Sequence, residues 1–202
     1  MKQIMMALFF LVSLSGVVHV QAQNQSAQMR AVEAIQRLGG KVEYDPSKTS
    51  VIKVDLNNTK INDADLRHLR EFRNLEWLDL RITEIGDEGV GHLKKLKRLT
   101  FLNLFRTKLT DNGLAKLKKL TKLETLLIGR TNVTDEGLKS LKGLARIRKI
   151  SVFRTEISDA GLKHLENLRS LEVLLIGGSK VTEAGANALK TVLPNLRFSE
   201  QT

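Results

Sequence analysis

Along Leu99 to Lys122, LTFLNLFRTKLTDNGLAKLKKLTK, the apolar positions change period halfway. Phe101-Leu102-Asn103-Leu104-Phe105 alternates about Leu102 and Leu104, the period of two that sets side chains on one face of a strand. Leu114, Leu117 and Leu120 then recur every three residues, as one stripe of a helix does. Between them Thr110 suits an N-cap and Asp111 suits the positive end of the helix dipole. The stretch therefore predicts strand, turn, helix and return. Shifting the chain by 24 residues superposes Val51, Leu75, Leu99, Leu123, Ile147 and Leu171 without an insertion or deletion, so the unit occurs six times.

Such a unit must stack to fold. Leu99 to Lys122 offers seven apolar side chains for burial, each worth roughly 1.5 to 3 kcal/mol when covered. Ordering the backbone costs about 1 to 2 kcal/mol per residue, so one unit alone unfolds and six that share faces hold together. The expected fold class is α/β, a right-handed horseshoe solenoid with a parallel sheet on the concave face and helices on the convex face.

The ends depart from the pattern, as solenoid ends do. Over 23–50, Ala27, Ala31, Val32, Ala34, Ile35 and Leu38 fall at helical spacing before Gly39-Gly40, and Lys41 to Tyr44 suits a strand. This segment is read as an N-terminal cap on repeats spanning 51–196. The first repeat has Asp65 where later copies have Gly89, Gly113, Gly137, Gly161 and Gly185, a recurrence that points to close packing at the helix start. In the last, Ala186 replaces the helix leucine and Val192-Leu193-Pro194 stops the helix. Residues 197–202 are expected as a tail, with Leu196 and Phe198 placed to add one final strand.

The pattern L-x-x-L-x-L-x-x-T-x-L-T-D-x-G-L-x-x-L-x-x-L closely resembles a leucine-rich repeat of the kind in which T-D-x-G-L opens the helix. It is similar to repeats of secreted bacterial leucine-rich repeat proteins and to the repeat half of F-box substrate-recognition proteins. The second resemblance implies presentation of substrates for ubiquitin transfer, which an F-box ahead of the repeats would be needed to support and which this sequence does not show.

Residues 1–22, MKQIMMALFFLVSLSGVVHVQA, combine one lysine, an apolar run and Val20-Gln21-Ala22. This is the pattern of a cleavable secretory signal peptide, with an uncleaved anchor as the alternative. The chain has no cysteine, which excludes disulfides and a lipoprotein anchor. A secreted or periplasmic location makes nucleic acid an unsuitable target for the net charge of +11, and leaves acidic proteins, anionic glycans or a membrane surface as attractors.

Aromatic residues make up 4% of the chain, so those off the core stand out. Strand alternation points Trp77, Phe101, Phe105 and Phe153 to solvent, with Arg81 and Leu127 on the same face. Trp77 and Phe101 share a slot on adjacent strands and should touch. Arg106, Arg130 and Arg154 share a slot just before a column of Thr59, Thr83, Thr107, Thr131, Thr155 and Ser179. That hydroxyl column is expected to satisfy turn backbone. The arginines repel one another unless Glu84 and Glu156, or a partner's carboxylate or phosphate, compensate them; the alternative is that they are solvated and their stems cover the threonines. The expected convex face is basic, with Arg70, Lys94, Lys118 and Lys142 in one slot and Arg98, Lys122 and Arg146 in another. His68, His92 and His164 lie too far apart to share a metal.

No nucleophile with a neighbouring base, no convergent carboxylates and no phosphate-cradling loop stand out, so neither catalysis nor a cofactor nor a metal is expected. The sequence reads as a non-catalytic module that binds a protein partner, with an acidic one matching its charge, through Trp77, Arg81, Phe101, Phe105, Arg106, Leu127, Arg130, Phe153 and Arg154. The alternative is an envelope-associated protein that binds anionic polymer or lipid through its basic helices.

Overall fold

A computed structural model describes residues 25–200; the expected signal peptide over 1–22 lies outside the described residues. Eight strands form one sheet in sequence order. β1 (Lys41–Tyr44) pairs antiparallel with β2 (Val51–Asp55). β3 (Trp77–Asp79), β4 (Phe101–Asn103), β5 (Thr125–Leu127), β6 (Lys149–Ser151), β7 (Val173–Leu175) and β8 (Arg197–Ser199) follow in parallel. Each register pair of the parallel strands, such as Lys53 with Trp77 and Trp77 with Phe101, is 24 residues apart. β8 places an eighth strand inside the stretch expected as tail.

The inward leucines form one continuous core. Leu99, Leu102, Leu104, Leu109, Leu114, Leu117 and Leu120 are all fully buried, and their counterparts in neighbouring units pack against them. At the N-terminal end a helix over 25–37, α1, covers the first repeat with Ala31, Val32 and Ile35. Gly39, at φ +84°, and Gly40 close α1 by donating to Gln36 and Ile35 carbonyls, a Schellman turn. No described helix is long and apolar enough to cross a membrane.

The expected helices are shorter than the leucine stripe suggests. α2 (Asp87–Gly91), α3 (Asp111–Lys116), α4 (Asp135–Leu138) and α5 (Asp159–Leu162) make one turn or little more. Three of them continue as 3₁₀ helix over His92–Lys95, Lys139–Leu141 and Lys163–Leu165. The first repeat is 3₁₀ throughout, over Asp63–Glu71. A strict three-residue leucine period is what a 3₁₀ helix, with three residues per turn, aligns on one face. Within the repeats only α6 (Glu183–Val192), in the last, is a longer α-helix.

The T-D-x-G segment explains itself across units. Asp111 Oδ1 accepts from the backbone N–H of Thr134 at 2.8 Å, and its Oδ2 accepts from the Thr134 hydroxyl at 2.7 Å. Asp87 does the same to Thr110, Asp135 to Ser158 and Asp159 to Thr182. Asp63 reaches only the Gly86 N–H, where no hydroxyl is present. The two bonds from Thr182 hold the Asp159 carboxyl below its ordinary pKa. The glycine three residues beyond each stapled N–H leaves room for the carboxylate. A Cβ on Gly89, Gly113, Gly137, Gly161 or Gly185 would sit 2.0 to 2.5 Å from an Oδ1 of the preceding unit. The first repeat has no such aspartate before it, and there Asp65 fits and caps Asn62 N–H at 2.9 Å.

Candidate functional site

Alternation along the sheet gives two ridges flanking a floor. The first ridge comes from the strand starts, where Lys53 Nζ lies 4.7 Å over the Trp77 ring and Trp77 stacks on Phe101 at 4.9 Å with planes 7° apart. The expected contact is present. The second ridge, past the strand ends, holds Arg81, Phe105 and Phe153. Phe105 and Phe153 sit two units apart and still meet, at 6.4 Å, because the unit between them carries Gly129. A Cβ there would lie 3.1 Å from the Phe105 ring and 2.9 Å from the Phe153 carbonyl oxygen. This packing corrects the expectation of exposed aromatics: Trp77, Phe101, Phe105 and Phe153 are each half-buried against one another and against cations.

The floor, between the ridges, is the last residue of each of β3 to β7. Asp79, Asn103, Ser151 and Leu175 share the Leu127 slot, which strand alternation turns toward solvent, and all four are buried. The first three turn back on the chain. Asp79 accepts from the Arg81 N–H at 2.9 Å and Asn103 from the Phe105 N–H at 3.0 Å, and Ser151 faces the Phe153 N–H at 3.5 Å. These are side-chain caps on turn backbone, which polar residues of this size favour. Burial raises the Asp79 carboxyl above its usual pKa, against the opposing pull of the Arg81 N–H and guanidinium. The Arg81 guanidinium sits 3.3 Å from that carboxylate.

A groove of about 450 Å³ runs over this floor. Of the residues expected at a binding site, Arg81, Phe105 and Leu127 line it. Trp77 and Phe101 form the opposite ridge, and Phe153 supports Phe105 from the far side. Asn57, Ile82, Asn103, Lys149, Ser151 and Leu175 also line the groove. Ile82 is the one that strand alternation could not find. It is 37% exposed and has φ +56°, in the left-handed region that a β-branched residue rarely adopts. The available signal was its column: Asn58 and Gly178 occupy the same slot, and both tolerate that conformation.

Arg106, Arg130 and Arg154 belong to that column too, with φ of +54°, +52° and +50°. Their spacing reflects a repeated left-handed turn. Glu84 and Glu156 do not compensate them, since they pair with Lys108 and Lys180. Arg130 lies 6.0 Å over the Phe105 ring and Arg154 lies 5.2 Å over Phe153, so two arginines rest on the aromatic ridge. Arg106 has no ion pair among the described residues. The hydroxyl column satisfies turn backbone within each unit: Thr107, Thr131 and Thr155 donate to the carbonyls of Leu104, Ile128 and Val152 at 2.8, 2.6 and 2.6 Å. Among the described residues no group of three metal-ligating side chains converges.

The leucine-rich repeat family model matches residues 95–118 and 119–142. Among solved structures, the chain is similar to the internalin InlF of Listeria monocytogenes, at 20% identity and a TM-score of 0.56, over 83% of this chain and 54% of that one. It is also similar to internalin C2 of the same organism, at 20% identity and a TM-score of 0.52, over 83% of this chain and 81% of that one. The chain thus spans about half the length of the InlF chain. No curated protein matches it in sequence. At this identity the internalins share the fold. The two matched windows abut, each is 24 residues long, and they fall on strands that recur at that same interval: residues 95–142 match leucine-rich repeats, and the chain folds as a leucine-rich repeat solenoid.

Proposed function

We propose that this protein is an exported, non-catalytic binding module that holds a protein partner on the concave face of its sheet. The observation that carries the reading is the groove of about 450 Å³ with an apolar floor at Leu127 and Leu175, between two ridges built from Trp77, Phe101, Phe105 and Phe153. Half-buried rings already ordered by stacking lose little entropy when a partner covers them, which is what interface anchors require. Arg81, Arg130 and Arg154 stand beside the rings and suit carboxylates on the partner; Arg106 continues their row. Export rests on the pattern of residues 1–22.

Trp77→Ala combined with Phe105→Ala removes one anchor from each ridge and no buried leucine. Loss of partners captured from an extracytoplasmic extract, with an unchanged circular dichroism spectrum, is expected. Unchanged capture would show that this face is not the site.

A further inference from the structure

The positive charge of the molecule is concentrated on one edge. The helix-to-strand returns of the first five repeats, 67–74, 91–98, 115–122, 139–146 and 163–170, hold sixteen lysines and arginines and two glutamates. The rest of the chain has seventeen cationic and twenty acidic residues, so the net charge of +11 comes entirely from these forty residues. Among the described residues only Lys116, with Glu88, and Lys139, with Glu136, of the sixteen cations form ion pairs.

The 24-residue register sets the returns side by side. Arg98 donates to the Asn74 side chain at 2.9 Å, and Lys97 donates to the Lys119 carbonyl at 3.2 Å. Between the first three repeats a cleft of about 430 Å³ is lined by Arg70, His92, Lys94, Lys116, Lys118 and Lys119, with Glu88 its one carboxylate. Arg70 donates to His92 Nδ1, and burial together with Arg70 keeps that ring below its ordinary pKa. Cations near a helix C-terminus complement its dipole by about 0.3 to 1 kcal/mol each, but that interaction calls for one cation per helix. Four consecutive returns carry three or four, and like charges this close oppose folding.

We propose that this edge binds an anionic polysaccharide, laid across successive returns. Charge selects a polyanion, and the remaining surface selects among polyanions. The exposed large apolar residues among those described are Met29, Tyr44 and Ile82, none of them on this edge, so nothing there inserts into a bilayer. The edge's one phenylalanine, tyrosine or tryptophan, Phe72, is fully buried, so no large exposed ring there offers bases a stacking platform. A hydrophilic chain with charges along its length needs neither. The surface is separate from the sheet groove, and both can be occupied together.

The test uses the full-length protein and heparin as the probe, with uncharged dextran, single-stranded DNA and anionic phospholipid vesicles as comparisons. Lys94→Glu, Lys118→Glu and Lys142→Glu together reverse one exposed, unpaired column. Lys41→Glu, Lys60→Glu and Lys190→Glu make the same change of net charge elsewhere. The first triple is expected to weaken heparin binding at least tenfold and the second less than threefold, with a salt dependence that flattens only in the first. The matching triple of Lys→Gln substitutions at 94, 118 and 142, which adds no acidic group, should weaken binding in the same direction if the Glu triple disturbs folding. Equal losses from both Glu triples would reduce the effect to net charge and overturn the proposal. Tighter binding to DNA or vesicles than to heparin would overturn the polysaccharide assignment.

Discussion

Replacing Gly161 by alanine isolates the staple between repeats. In a free helix the change would stabilise, since glycine costs about 1 kcal/mol relative to alanine. Here the new Cβ would lie 2.3 Å from Asp135 Oδ1 and 3.0 Å from its Cγ, with no atom of another residue among its three nearest neighbours. The carboxylate must move, and it then loses the Ser158 N–H at 2.8 Å and the Ser158 hydroxyl at 2.6 Å. Hydrogen bonds to a charged group contribute roughly 1.5 to 3 kcal/mol each, with incomplete additivity for two on one carboxylate. Losing the pair should cost about 2 to 4 kcal/mol, and after the helix gain Gly161→Ala should destabilise by about 1 to 3 kcal/mol. Asp135→Ala should cost about 2 to 4 kcal/mol by itself, because the Ser158 N–H is left without its acceptor. With Asp135 already alanine, Gly161→Ala meets no carboxylate and should be neutral or stabilising by up to about 1 kcal/mol. The four proteins form a double-mutant cycle with a coupling of about 2 to 4 kcal/mol. Urea unfolding followed by circular dichroism measures it, with the slope checked for constancy because solenoid units can uncouple. The same cost for Gly161→Ala in both backgrounds would refute the account.

Two further outcomes follow from the groove. Ile82→Asn puts into the left-handed slot the residue type already present at Asn58, and should raise stability by about 1 kcal/mol; a lowered thermal midpoint would show that Ile82 is not strained there. Asp79→Asn keeps an acceptor for the Arg81 N–H, as Asn103 does for Phe105 in the next unit. Because burial raises the folded-state pKa of Asp79 above its ordinary 3.8, its ionised form opposes folding. The stability of the native protein relative to the variant should fall as pH rises above 3.8 and level off beyond the folded pKa, which paired urea titrations at several pH values would detect.

The repeat, the sheet and the leucine core are legible in the sequence because a constant period places chemically identical residues in register. The staple was legible in principle. Each of Gly89, Gly113, Gly137, Gly161 and Gly185 follows an aspartate by 26 residues, and Asp65 follows a glycine. Read one unit at a time, Asp111 looks like a partner for its own helix dipole, and only the neighbouring unit reveals Thr134. The Trp77–Phe101 stack was legible because adjacent strands share a slot. The Phe105–Phe153 contact was not, since it skips a unit and depends on Gly129 having no side chain. The burial of Asp79 and Asn103 was hidden because alternation gives the direction of a side chain but not its turn back onto the backbone. The arginine row looked like a charge pattern, although its backbone is set by a turn that Asn58 and Gly178 mark more plainly.

The staple also gives the solenoid punctuation. Every internal unit presents an aspartate to the unit after it and keeps a glycine hollow for the aspartate before it. The first unit has filled its hollow with Asp65, and the last carries Glu183 in place of the outgoing aspartate, one methylene longer. An internal unit duplicated in place would therefore read in frame at both joints, whereas a unit appended after Val192 would meet a side chain of the wrong length. Two copies approaching head to tail would bring the longer Glu183 side chain against a hollow that Asp65 already fills, so the staple does not pass from one copy to the next.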